Sequence, residues 1–285
     1  MIVITGATGA LNGATTDHLL SRFPAEELVV VARTPEKARR FADLGVSVRS
    51  GDYADPGSLV DAFRGADQLL LVSSSDPTAD AVALHTAAVD AAVQADVGHV
   101  LYTSHQGAHP RTPFGPGRDH AATEAVLERS GLAWTSLRNG FYAHSLLWLT
   151  GDWRTTGTIA VPADGPVSWT SREDAAEAAA VVVARIAAGD TGLGGPLTLT
   201  ADEAPTFVDV AALASAASGR SVERVLVDPE EWVAAQVAAG RPERVARFTL
   251  GFYEAAGEGF FAGTSPLLGD LLGRLPSTVS DVLTA

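Results

Sequence analysis

Ile2-Val3-Ile4-Thr5-Gly6-Ala7-Thr8-Gly9-Ala10-Leu11 opens the chain with a β-branched run, a turn of small residues and the start of a helical pattern. A strand that passes through glycines straight into a helix leaves the first N–H groups of that helix pointing outward. There they and the positive end of the helix dipole can hold a pyrophosphate. On this reading Gly6, Ala7, Thr8, Gly9, Ala10 and Leu11 form a dinucleotide-binding turn. Glycine-rich turns also join strands to helices for steric reasons, so the reading leans on context: strand before, helix after. The third glycine of a GxxGxxG spacing, which permits close helix–strand packing, is missing. Asn12 stands there and Gly13 follows one place late. Asn12 reads either as tolerated packing variation or as an amide near a phosphate.

The strand-then-helix alternation continues outward from this turn. Strand runs occur at Leu28 to Ala32, Val46 to Arg49, Gln68 to Val72, His99 to Thr103 and Trp134 to Leu137. Helical patterns fall at Ala10 to Arg22, Pro35 to Asp43, Pro56 to Phe63, Pro77 to Gln94 and Arg118 to Ser130. Thr34-Pro35 and Asp55-Pro56 each offer an N-cap and a preorganised first turn. Right-handed crossovers between such strands predict an α/β fold, a doubly wound parallel-sheet Rossmann domain over residues 1–150. His105 to Gly117, with Pro110, Pro113 and Pro116, reads as a surface loop after the fifth strand. Later the pattern loosens into a smaller, mainly helical C-terminal substrate-binding region, residues 151–285. Its helix and strand near 172–200 are expected to return to the sheet.

In such a fold the carboxyl edge of the sheet borders the ligand. The second strand ends on Arg33, where a site for NAD would place an acid against the ribose 2′-hydroxyl. A guanidinium there can instead grip the 2′-phosphate of NADP(H), with Lys37 adding positive charge. The plain alternative makes both residues solvated at a helix start. Asp52 and Tyr53 end the third strand, Ser73, Ser74 and Ser75 the fourth, and Tyr102 and Thr103 the fifth. The serines suit helix capping and cofactor lining equally.

Composition sets limits. Twenty basic against 34 acidic residues give a net charge of −14, which argues against attraction to nucleic acid. The absence of cysteine excludes disulfides, zinc–thiolate sites and thiol nucleophiles, and no cluster has metal-ligand spacing. Apolar runs break well short of membrane-spanning length, and the opening residues lack a signal-peptide pattern, so no membrane association and a cytoplasmic location are expected.

Taken in order, ITGATGAL, VARTPEKA, GDYADP, LLLVSSS, VLYTS, HAATE and LRNGFY closely resemble the NmrA-like atypical short-chain dehydrogenase/reductases. Within them the likeness is to the branch of type 2 NAD(P)H:quinone oxidoreductases and triphenylmethane reductases. It is specific through Tyr142, persists through Ser171-Arg172-Glu173-Asp174 and fades in the tail. The resemblance implies that Gly6 to Leu11 and Arg33 hold the nucleotide and that Ser73 to Ser75 run beside it. It further implies that Asn139, Gly140, Phe141 and Tyr142 flank the nicotinamide and that Arg172 reaches the same region.

None of the four tyrosines is followed four places later by lysine, so the Tyr-x-x-x-Lys pair of the main short-chain dehydrogenases is absent. Lys37 is the single lysine and lies at the nucleotide end, which also excludes a lysine general base. Quinones and cationic dyes need neither, because hydride attack places charge on delocalised oxygens or quenches a cation. Candidate proton donors are Tyr102, His105, His109 and Tyr142, with a core role equally open for Tyr102 and a solvated loop position the commoner reading for the two histidines. His120 and Glu124, at i and i+4, read as a surface or structural pair. Phe114, Phe141, Tyr142, Trp148, Trp153 and Trp169 could wall a flat pocket, and motif position singles out Phe141 and Tyr142. The expected activity is NADPH-dependent hydride transfer to a quinone or similar small, planar, conjugated acceptor. Two alternatives stand beside it: a non-catalytic NADP(H)-binding redox sensor, and a reductase tailoring a secondary metabolite. A homodimer is left open.

Overall fold

The computed structural model describes residues 1–285 except Ser75, Pro77 and Ala285. The apolar runs of the first half form β1 (Ile2–Thr5), β2 (Leu28–Ala32), β3 (Ser47–Ser50), β4 (Gln68–Leu71), β5 (His99–His105) and β6 (Ala133–Asn139). Between them lie α1 (Ala10–Leu20), α2 (Arg39–Ala42), α3 (Pro56–Phe63), α4 (Ala81–Gln94) and α5 (Gly115–Arg129). The second half adds the strands β7 (Phe141–Tyr142), β8 (Thr158–Val161), β9 (Trp169–Thr170), β10 (Gly195–Leu199) and β11 (Glu223–Leu226). Its helices are α6 (Leu146–Leu149), α7 (Trp153–Thr156), α8 (Arg172–Ala187), α9 (Phe207–Ser218), α10 (Pro229–Ala238), α11 (Glu243–Gly257), α12 (Leu267–Leu272) and α13 (Val279–Thr284).

A seven-stranded sheet carries the order β10-β6-β5-β4-β1-β2-β3. β1 pairs in parallel with β2 and β4, β2 with β3, and β4 with β5. β1, β2 and β4 are buried at every position, as strands covered on both faces must be, whereas β3 ends the sheet and is partly exposed. This is the expected doubly wound α/β architecture. The strand order reverses where β4 lies beside β1, which places a ligand crevice outside the carboxyl ends of these strands.

The chain divides into two compact units. One comprises Met1–Ser104, Asp119–Arg138 and Glu173–Leu197; the other comprises His105–Arg118, Asn139–Arg172 and Thr198–Ala285. Valines and leucines of the strands fill the core of the first, packed against Leu59 and Phe63 of α3 and Val89 of α4. Aromatic side chains dominate the core of the second, among them Phe114, Trp169, Phe207, Phe252, Tyr253 and Phe261.

Two cap expectations fail in detail. Thr34 and Asp55 stand at N-cap positions with proline following, yet neither side chain makes a capping hydrogen bond. The preset φ of proline starts the turn without one. After Thr34 that turn is a 3-10 segment, Pro35–Ala38, and α2 begins only at Arg39. The helix expected from Pro77 begins at Ala81, where the Asp80 carboxylate accepts from Ala83 N at 3.0 Å. Among the described residues no helix is long and apolar enough to cross a membrane.

Candidate functional site

Gly6 adopts φ +67°, and a Cβ on it would stand 2.4 Å from Val72 Cγ1, so no other residue fits. The turn closes with Gly9 N donating to Gly6 O at 2.9 Å. Gly9 then N-caps α1 without any side-chain cap or acid in the first turn, and Thr8, Gly9 and Ala10 are exposed. The first-turn N–H groups are therefore left for an anionic ligand. A cavity of about 670 Å³ opens here, bordered by Gly6, Thr8 and Gly9, with Arg33 beyond β2, Asp52 and Tyr53 beyond β3, and Ser73 and Ser74 beyond β4. Arg33 is exposed. Asp76 shares the cavity, its carboxyl held below the usual range by hydrogen bonds from the Thr78 hydroxyl and N–H and, more weakly, by the Arg33 charge.

Of the remaining residues read from sequence at this end, Lys37, Ala7, Ala10 and Leu11 are not among those that border the cavity. Lys37 is exposed on the 3-10 turn, Ala7 is buried, Ala10 and Leu11 belong to α1, and Ser75 lies outside the described residues. Ser73 and Ser74 do not cap α4, since Asp80 does. Asn12 is buried, and its Nδ2 donates to Thr5 O at 2.8 Å, tying β1 to α1. It does not border the cavity. Gly13 takes over the close approach, because a Cβ there would stand 2.9 Å from Ala7 O.

Tyr53 is held by Val72 O, to which its hydroxyl donates at 2.9 Å, and by Thr5 Oγ1 at 2.7 Å; burial raises its pKa well above the usual range. Thr103 is buried and accepts from Ser73 N at 2.8 Å. Tyr102 has no exposed surface, and its hydroxyl meets His120 Nδ1 at 2.8 Å, with burial again raising its pKa. Of the two readings open for Tyr102, the structure supports the core one. Of the surface and structural readings of His120 and Glu124, the structural one fits, since Glu124 is buried and His120 meets the Tyr102 hydroxyl. Glu124 Oε1 accepts from Ser104 Oγ at 2.7 Å, Ser136 Oγ at 2.6 Å and Arg138 Nε at 2.9 Å, while Oε2 accepts from Arg138 Nη2. This buried carboxylate joins α5 to the ends of β5 and β6, a role that helical spacing alone does not reveal.

In the second unit, β7 pairs in parallel with β9, Phe141 beside Trp169 and Tyr142 beside Thr170. Gly140 is compelled, since a Cβ would stand 2.1 Å from Thr170 Oγ1. Buried Asn139 donates from Nδ2 to the Tyr142 oxygen at 3.3 Å, and its Oδ1 has no partner. Arg172 Cζ lies 5.5 Å over the Tyr142 ring, and its Nη2 donates to the His144 ring. Burial raises the Tyr142 pKa, opposed by the Asn139 hydrogen bond and the Arg172 charge. Phe141 packs among Phe252 at 4.4 Å, His105 at 5.5 Å and Trp169 at 5.6 Å. Trp153 and Trp169 are buried core residues; Trp148 remains 43% exposed.

His105 does not fit the donor expected near neutral pH. Its Nδ1 accepts from Gly107 N at 2.9 Å, three phenylalanine rings surround it, and burial lowers its pKa to about 4. His109 accepts from Arg111 N and packs on Phe260. Among the described residues no cluster could hold a metal ion.

A glycine turn at the switch point of a doubly wound sheet defines a dinucleotide-binding protein. Residues 6–186 match the family described as NAD(P)H-binding. Quinone oxidoreductase 2 of Escherichia coli K12 is 33% identical over 282 residues, 99% of this chain and 96% of its own. The NADPH-dependent quinone oxidoreductase of Escherichia coli, solved with NADPH, superposes with a TM-score of 0.91 at 31% identity, covering 100% of this chain and 99% of that one. Triphenylmethane reductase of Citrobacter sp., solved with NADP(H), gives 0.87 at 33% identity, with 99% of each chain covered. The chain belongs to the NAD(P)H-binding family.

Proposed function

We propose that the protein is an NADPH-dependent reductase that delivers hydride to a quinone or a similarly flat, conjugated acceptor. The observation that carries the proposal is one cavity bordered both by the Gly6–Gly9 turn and by Arg33. That pairing joins a pyrophosphate cradle to a fork suited to a 2′-phosphate. Similarity to reductases of quinones and triphenylmethane dyes supports the acceptor class.

When bound, NADPH supplies the hydride. The chain's own residues bind and orient. First-turn N–H groups of α1 face the pyrophosphate, and Arg33 takes the 2′-phosphate. Motif position assigns Asn139, Gly140, Phe141, Tyr142 and Arg172 to the nicotinamide end. The Tyr142 oxygen accepts from Asn139, and its raised pKa keeps the phenol protonated, so its O–H is available to a reduced acceptor oxygen. No lysine transfers a proton, because Lys37, the chain's single one, belongs to the nucleotide end.

The test is oxidation of NADPH by purified protein, followed by absorbance with a panel of benzoquinones, naphthoquinones, triphenylmethane dyes and azo dyes. Turnover with several of them is expected. Tight NADPH binding without turnover across the whole panel would overturn the catalytic reading.

A further inference from the structure

Beyond the end of β4 at Leu71, three successive backbone N–H groups are each taken by a side chain from a different element. Val72 N donates to Thr5 Oγ1 at 2.8 Å, Ser73 N to Thr103 Oγ1 at 2.8 Å and Ser74 N to His85 Nε2 at 2.7 Å. Val72, Ser73 and Ser74 all border the dinucleotide cavity. The cavity wall therefore continues past the strand on acceptors supplied from β1, β5 and α4. Two of these are threonines that end or lie within strands. The third is a buried histidine, 1% exposed, where an aliphatic side chain would fill the same core at lower desolvation cost.

An N–H facing Nε2 requires a lone pair on that nitrogen, which places the ring proton on Nδ1. The surroundings agree. Nδ1 lies 2.8 Å from Thr123 Oγ1, whose own hydroxyl donates to Asp119 O at 2.8 Å. The Tyr102 hydroxyl is 3.4 Å from Nδ1 but 2.8 Å from His120 Nδ1, its better acceptor. Burial keeps the imidazole neutral, with a pKa of about 4, against an upward pull from the Asp80 carboxylate.

We propose that His85 is a positioning residue for the dinucleotide, its Nε2 fixing the Ser74 backbone in the cavity wall and so the space the cofactor enters. The inference rests on the cavity being the NADPH site. Its first test uses the unaltered protein. Nitrogen-15 NMR of the histidine rings should show His85 as the Nδ1–H tautomer, the opposite of the form that prevails in free histidine; an Nε2–H ring would overturn the inference.

The second test is kinetic. His85→Leu should raise the KM for NADPH about tenfold, the scale of one lost hydrogen bond, while kcat and the quinone KM stay within about twofold. His85→Gln, whose amide oxygen reaches Ser74 N, should return to within about threefold of the starting KM. An unchanged NADPH KM in the leucine variant, equal damage in both variants, or a joint fall of all parameters would each overturn it. Should leucine prevent folding, His85→Asn replaces it, since the shorter amide reaches Thr123 but not Ser74. If the unaltered protein binds no NADPH, the functional reading fails and this inference with it. Normal NADPH binding by His85→Leu sinks the inference alone.

Discussion

The two units treat polarity in opposite ways. In the first, polar side chains are buried and engaged, Tyr53 on Thr5 and Val72, His85 on Ser74 and Thr123, Glu124 on Ser104, Ser136 and Arg138, so that the backbone beyond β4 is fixed while the first-turn N–H groups of α1 carry no side-chain cap. In the second, Phe114, Phe141, Phe252 and Phe261 pack ring against ring, with the His105 imidazole held among them. A charged, extended cofactor needs fixed donors in fixed places. A core of rings needs only apolar volume, which many aromatic arrangements can supply. The first requirement constrains residue identity position by position, and the second constrains little beyond size.

The largest expected effect lies in the constrained unit. Gly6→Ala places a side chain at positive φ against Val72 and should cost about 3 to 5 kcal/mol, with NADPH binding abolished. Urea unfolding and equilibrium titration together measure both losses. An alanine variant of normal stability would mean that the turn is less rigid than its geometry indicates.

Next comes pH. His85 in the first unit and His105 in the second are both depressed from 6.5 to about 4 by burial. Unfolded chains take up protons below about pH 6.5 that the native rings refuse, so stability is full above that value and falls as pH drops toward 4. Each ring accounts for about 3 kcal/mol at most. Unfolding free energy measured between pH 7 and 4.5 should decline, and His85→Gln and His105→Gln should each flatten part of the decline. A flat profile in the unaltered protein would contradict the burial of both.

Glu124→Gln should cost about 2 kcal/mol or more, because Arg138 loses its charge partner and the amide NH2, whichever way it turns, faces a donor that the carboxylate accepts from. Denaturant midpoints read this directly. Smallest is Asn12→Gly, which restores the usual glycine but removes the bond to Thr5 O and adds backbone freedom, about 1 kcal/mol. The NADPH KM should not change, since Asn12 does not border the cavity.

The same contrast explains what could be read without coordinates. The strand–helix alternation, the Gly6 turn and Arg33 rest on local spacing, and each β1 to β6 run lies within a few residues of its expected place. His85 was invisible because a lone histidine in an alanine-rich helix carries no periodic signal, and its partner Ser74 lies in a different element. Tyr102 and His105 show what strand position does not carry. Both end or follow a strand at the productive edge, yet burial takes one into the core and holds the other neutral. The aromatic unit depends on contacts such as Phe114 with Phe261, far apart along the chain, and nothing local encodes them.

The central claim is that the cavity selects NADPH through Arg33. Equilibrium titration of the unaltered protein and of Arg33→Asp with NADPH and NADH measures it most directly. The account predicts tighter binding of NADPH by roughly a hundredfold in the first, the scale of a bidentate charge-assisted pair, and a reversed preference in the second. The same NADPH-to-NADH ratio in both proteins would contradict it.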